Sequence, residues 1–279
     1  MNKAINYQLE INEILTKNNI NITPKYVYHY TNGSALKSII ENQELWLSER
    51  NYMNDVQDEQ YIKSLVDKKI YHKSLFIEPV IEDNFLKQDP QYVFSTSSEN
   101  DLIHQWAYYG KNDSYCIEFE TIELIKYIAK YSFQGDYHFY GNVIYDKDIV
   151  DQIIDKIVLK FEDAIKNNLA ESPSIDEKVM YSFSKQMYQY FYYCIKQYGN
   201  YCEKEYRLLI QTDRKPCFKV NNGLFIPYIK IGDKSTRIPI SRIILGPNNH
   251  ETISKKSLEK FLKINHYNIE VLESELLTR

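Results

Sequence analysis

Helical and strand-like segments follow one another irregularly along this chain of 279 residues, and that order constrains its fold more than any single motif. The densest part is KYVYHYTNGSALKSIIENQELWLSE, from Lys25 to Glu49, where Tyr26 to Tyr30 has the β-propensity of a strand. SALKSIIEN then places Ser34 as an N-cap and Leu36, Ile39 and Ile40 on one helical face, and ELWLS returns to a strand. Further strands are read in YVFSTS, SYCIEFE, YHFYGNVIY, KEYRLLIQ, GLFIPYIKI, TRIPI, RIILGP and YNIEVLES. A helix is expected from Tyr7 to Lys17, and another turns in through Asn54 and Asp55 and runs towards Tyr71. A short helix in DLIHQWAYYG is stopped by Gly110, and the remaining helices are Asp148 to Asn167, Ile175 to Tyr198 and Ile253 to Leu262. Met180, Phe183, Met187, Phe191 and Cys194 form one apolar stripe, read as a core face. Helices set between strands without regular βαβ alternation predict an α+β fold around a mostly antiparallel sheet. The expected organisation is one domain, 1–279, with residues 1–24 as a helical lead-in and 148–199 as an inserted helical pair.

Composition narrows the function classes. A chain that is 43% hydrophobic and 26% charged can build a core throughout. Its 34 basic against 38 acidic residues leave a formal charge of -4, so it has no general field for gathering nucleic acid. The N-terminal MNKAINYQLEINEILTKNN carries acids and lacks an apolar core, unlike a secretory or transit segment, and no apolar run reaches the length of a membrane span. A cytoplasmic protein without a membrane partner is expected. Cys116, Cys194, Cys202 and Cys217 contain no C-x-x-C pair, which suits free thiols and gives no reason to expect a metal. There is no P-loop, G-x-G-x-x-G, G-x-S-x-G or H-E-x-x-H.

A few residues could carry chemistry. His29 sits within a strand, where a lone histidine is more often a satisfied core or edge group than a ligand contact. Glu205 opens EYRLLI and Glu203 lies two residues earlier, so a continuous strand would turn both carboxylates to one side. The competing reading is a solvated edge with Glu203, Lys204, Glu205 and Arg207 all exposed. Ser95 and Ser97 alternate onto one side of their strand. Trp106 and Tyr109, three apart, share a helix face; Trp106 suits a structural role and Tyr109 a stacking contact. Asp55 and Glu59, with Asn54, have the spacing of a divalent-ion site, although capping is the commoner role for such an Asp. His72, His104, His138, His250 and His266 show no ligand-like spacing.

Two resemblances add to this. YHYTNGSALKSIIENQELWLS resembles the first motif of the ADP-ribosyltransferase superfamily, a strand-borne histidine followed by a short helix and a second strand. The order YHYT, LWLS, YMND, FSTS, HQWAYYG, EKEYR and IILGP is similar to that of a bacterial family of uncharacterised proteins, domain of unknown function 2971. The superfamily resemblance implies an ADP-ribosyltransferase-like sheet that takes NAD as substrate and cleaves the nicotinamide–ribose bond through an oxocarbenium-like transition state, which needs a nearby carboxylate. It implies Glu205, with Glu203, as the catalytic carboxylates and His29 as the group holding the nicotinamide-side ribose. Thr31, Ser95, Ser97, Tyr109 and Arg207 complete the implied NAD site. The acceptor would be a protein, a nucleic acid or water, in a toxin or antiphage setting, with no metal required. The rivals are a metal-dependent phosphoesterase or nuclease using Asp55, Glu59 and Glu203, and a non-catalytic nucleotide- or partner-binding module. TNGSALKS holds only Gly33 where better-known transferases have a glycine-rich loop, and the long helical pair precedes the last motif. Whether His29, Tyr109 and Glu205 converge on one cleft is the observation that bears most directly on the NAD reading.

Overall fold

The computed structural model describes residues 2–53, 61–62, 64–65, 68, 90–109, 113–156, 193–221, 223–247 and 251–276. They fall into two compact units, one of Met1–Ile22, Asn54–Asp89 and Gly141–Tyr201, the other of Thr23–Met53, Pro90–Tyr140 and Cys202–Arg279.

The second unit carries the sheet. Its strands are β1 (Tyr26–Asn32), β2 (Leu45–Glu49), β3 (Gln91–Ser97), β4 (Ser114–Glu120) and β5 (Tyr137–Asn142), whose last two residues belong to the first unit. Then come β6 (Glu205–Gln211), β7 (Cys217–Asn221), β8 (Leu224–Ile231), β9 (Ile240–Leu245) and β10 (Glu270–Glu273). They form one ten-stranded sheet in the order β10-β9-β4-β1-β3-β2-β8-β7, with β6 on β3 and β5 on β6. Among the strand pairs whose register is described, neighbours run antiparallel except that β10 runs parallel to β9. The expected mixed α+β, mostly antiparallel architecture is borne out.

Alternation in the strands feeds one large core. Val27, Leu45, Leu47, Tyr92, Phe94, Ile117, Phe119, Leu208 and Ile210 pack there together with Leu36 and Ile40 of α2 (Gly33–Asn42). Leu124 and Ile128 of α4 (Thr121–Lys130) and Leu258 and Leu262 of α5 (Glu251–Ile264) complete it. On the opposite face a smaller cluster of Tyr30, Cys116 and Ile244 is covered by Trp106, which belongs to α3 (Ile103–Tyr109).

One local reading changes, and two elements, α4 and β7 (Cys217–Asn221), are not marked by the sequence pattern. The α2 cap is Asn32, whose side chain accepts from the Ala35 N–H at 2.9 Å, because β1 runs to Asn32 and the helix begins at Gly33, ahead of Ser34. The α4 helix follows β4 directly, with Glu120 still extended and the Thr121 N–H given to the Lys25 carbonyl, so no turn signal separates the two. The edge strand β7 also escapes the pattern, since Cys217, Phe218 and Val220 remain exposed and supply no in–out alternation.

In the first unit α1 (Asn2–Lys17) is present, and Asn142 ties off the chain after it by donating to the carbonyls of Ile20 and Ile22 at 2.8 and 2.7 Å. Residues 147–156 are helical, Lys156 pairs with Glu10 at 3.1 Å, and Val150, Ile153 and Ile154 are buried. The rest of the first long helix, and Met180, Phe183, Met187 and Phe191 of the second, lie outside the described residues. The second ends earlier than expected: Ile195 bridges to Ile144, and Tyr198 opens a 3-10 turn. Among the described residues no helix is long and apolar enough to cross a membrane.

Candidate functional site

The sheet parts at β3. Along one edge β3 is fully paired with β6, Gln91 to Ser97 against Gln211 to Glu205. On its other edge it meets β1 at Tyr28–Ser97 and β2 at Ser48–Val93 and Glu49–Tyr92. The backbone between those contacts, around Phe94 and Ser95, faces a gap between β1 and β2.

His29 fills part of that gap. Its Nδ1 lies 2.9 Å from the Ser95 carbonyl oxygen, and its ring stacks on Phe94 with centroids 4.3 Å apart. A carbonyl can only accept, so Nδ1 carries the proton and Nε2 presents a lone pair. Burial, with the Lys219 charge as a smaller contribution, depresses the imidazole pKa to about 4 against the opposing bond to Ser95. His29 is therefore neutral at pH 7 and acts as a hydrogen-bond acceptor. Thr31, two residues on and buried, points to the same side of β1.

The carboxylate lies on the other face. Ser97 opposes Glu205 and Ser95 opposes Arg207, so these four share one side, while Phe94 and Tyr206 turn to the large core. Glu205 is 4% and Arg207 0% exposed, and the guanidinium grips the carboxylate through Nε to Oε1 and Nη2 to Oε2, both at 2.9 Å. The reading of a solvated edge is overturned for this pair: two charges this deep need each other. Glu203 does not continue the strand. Lys204 takes a left-handed φ of 47°, Glu203 ends a 3-10 turn, and the expected same-side pair of carboxylates is broken. The Lys204 carbonyl is held by the Ser98 N–H at 2.7 Å and the Ser98 hydroxyl at 3.1 Å, and the Glu203 carbonyl by Gln105 Nε2 at 3.3 Å. The Ser97 hydroxyl accepts from the Glu99 N–H at 3.2 Å.

Trp106 is structural. Its ring meets Tyr30 edge-on at 4.8 Å, its Nε1 donates to Asp101 at 2.8 Å, and it packs over Gly246, where a Cβ would come within 2.9 Å of the indole. Tyr109 stays 46% exposed at the end of α3, edge-on to Tyr108 at 5.2 Å. Glu205, Ser95, Ser97 and Arg207 thus come together, with α3 over the same face. His29 and Thr31 lie across the sheet from them, so the residues expected to share one cleft divide between its two sides.

Sequence reading missed three residues. The row Glu205, Ser97, Tyr28, Glu118, Arg242 crosses β6, β3, β1, β4 and β9 on one face. Glu118, 1% exposed, is held by Arg242 through two bonds of 2.8 Å, and burial together with the Glu118 charge raises the Tyr28 pKa to about 12. The inward parity of Glu118 is visible in SYCIEFE, where it alternates with Cys116; its partner is set by a register that sequence does not show. Asn54, Asp55 and Glu59, proposed for a divalent ion, lie outside the described residues, and among the described residues no three His, Cys, Asp or Glu side chains cluster to hold a metal.

Residues 105–208 match the family described as Protein of unknown function (DUF2971), which bears out over that segment the resemblance carried by the motif order. The matched segment includes Trp106, Tyr109, Glu118, Glu203, Glu205 and Arg207 and excludes the β1 histidine. Comparison with curated proteins and with solved structures gives no match.

Proposed function

We propose that the protein binds NAD at the parted sheet and cleaves its nicotinamide–ribose bond, as an ADP-ribosyltransferase or an NAD glycohydrolase of ADP-ribosyltransferase-like fold. One observation carries the reading: a glutamate late in the chain is buried on the sheet face with its carboxylate oriented by a two-bond arginine clamp, beside the Ser97 hydroxyl. A fixed carboxylate at low dielectric is the group that a developing oxocarbenium ion requires. Arg207 in this reading positions Glu205 and does not touch substrate. Glu203, off the strand, is left to the acceptor side. His29 lies across the sheet from Glu205, so its neutral imidazole, with Nε2 as acceptor, would meet a ribose hydroxyl through the gap between β1 and β2.

A second reading, a nucleotide-binding module without turnover, is favoured by the same clamp, since Arg207 engages both oxygens of Glu205. Incubation of the protein with NAD, alone and with cell lysate, separates the two. Release of nicotinamide supports cleavage, and transfer of ADP-ribose to protein or nucleic acid identifies the acceptor; saturable NAD binding without release supports the module.

A further inference from the structure

Lys219 is a basic group beside the parted sheet that the proposed chemistry leaves unused. It stands on the edge strand β7, yet its ammonium turns inward and donates to the Ser48 hydroxyl at 2.7 Å. Burial lowers its pKa from the ordinary lysine range. Its partner is a neutral hydroxyl, and among the described residues no carboxylate pairs with it. A half-buried ammonium bonded to one hydroxyl keeps two further N–H donors, which an anion could take.

Its place is fixed by β3. Ser48 opposes Val93, and His29 is bonded to the Ser95 carbonyl on the same edge. Two strand residues separate those positions, about 7 Å along the backbone. Ser48 and Lys219 approach the edge from the face of Ser95, whereas His29 approaches from that of Phe94. A ligand taking both therefore lies across the edge of β3 and offers an anion at one end and a hydroxyl donor at the other. A furanose carrying a phosphate has those two ends at about that separation.

We propose that the gap between β1 and β2 is a phosphoribosyl subsite, in which Lys219 and Ser48 take the phosphate and Nε2 of His29 accepts from a ribose hydroxyl. The choice of sugar rests on the NAD reading above; the anion site rests on Lys219 and Ser48 themselves. The sequence alone did not mark Lys219, because an edge-strand lysine is ordinarily a solvated charge.

Calorimetric titration of the full chain with ribose 5-phosphate tests this, using wild type, Lys219→Gln, Lys219→Arg and Ser48→Ala. The wild type is expected to bind. Lys219→Gln should weaken binding about tenfold to a hundredfold, the usual loss for a hydrogen bond to a charged group, and Lys219→Arg should retain most of it. Ser48→Ala, a smaller change at the same point, should weaken it by less and serves if Lys219→Gln does not melt cooperatively. Equal affinity of wild type and the folded Lys219 or Ser48 variants, or no binding by wild type, overturns the subsite even where NAD is still cleaved. Lysine-dependent binding of ribose 5-phosphate by a protein that leaves NAD intact would instead overturn NAD cleavage and keep the subsite.

Discussion

His29 donates from Nδ1 to the carbonyl oxygen of Ser95 at 2.9 Å, at the point where β1 leaves β3. A side chain thus supplies the donor on an edge where a continuous ladder would have used backbone, and the imidazole is held neutral as a result of its enclosure.

That enclosure has a pH signature. The folded pKa of about 4 lies below the unfolded value near 6.5, so between those values the unfolded chain binds more protons and stability falls as pH drops. The loss is complete near pH 4 and amounts to at most about 3 kcal/mol. The stability difference between wild type and His29→Gln, measured by urea unfolding, should move in favour of the variant from pH 7 to pH 4.5; parallel curves would contradict the assignment.

Removing one partner of the Glu205–Arg207 pair should destabilise the fold by about 3–5 kcal/mol, because the other charge is left buried. Arg207→Met should therefore cost stability well beyond that of an ordinary surface substitution. Glu205→Met combined with Arg207→Met should recover much of the loss. Denaturant midpoints for the two single variants and the double give the coupling directly, and additive losses would show that the clamp contributes little.

Asn32→Ala should cost about 0.5–2 kcal/mol through loss of the α2 cap, while Ser34→Ala should be nearly neutral. Thermal melts of the two variants decide between these positions.

Gly246→Ala should destabilise by about 1–3 kcal/mol, because the added Cβ would lie 2.4 Å from the Ser114 Cβ and 2.9 Å from the Trp106 ring. A shift in tryptophan emission should accompany the drop in melting temperature; an unchanged melt would mean that the ring moves aside freely.

These residues also show what sequence can and cannot carry. Strands such as YVFSTS and EYRLLIQ are legible because their alternation is set by a buried face, and the pairing of Ser95 and Ser97 on one side follows from period two alone. The α2 cap is not legible because two capping residues, Asn32 and Ser34, flank Gly33 and only the length of β1 chooses between them. The break at Lys204 depends on a left-handed φ, with the Lys204 carbonyl held by Ser98, a residue just past β3 and more than a hundred positions away in sequence. Registers brought Arg242 to Glu118 and Ser48 to Lys219, and no local pattern encodes a register between distant strands. The division of His29 and Glu205 between faces has the same origin. Parity within each strand was readable; which strands meet, and where the sheet parts, was not.

The most direct test of the account is nicotinamide release from NAD by wild type and by Glu205→Gln, each first shown to be folded. The substitution keeps the shape of the side chain and removes its charge. If the carboxylate stabilises an oxocarbenium-like state, wild type releases nicotinamide, and kcat for Glu205→Gln falls about 10²–10³-fold with little change in KM. Turnover by the folded Glu205→Gln protein at the wild-type rate would contradict the mechanism.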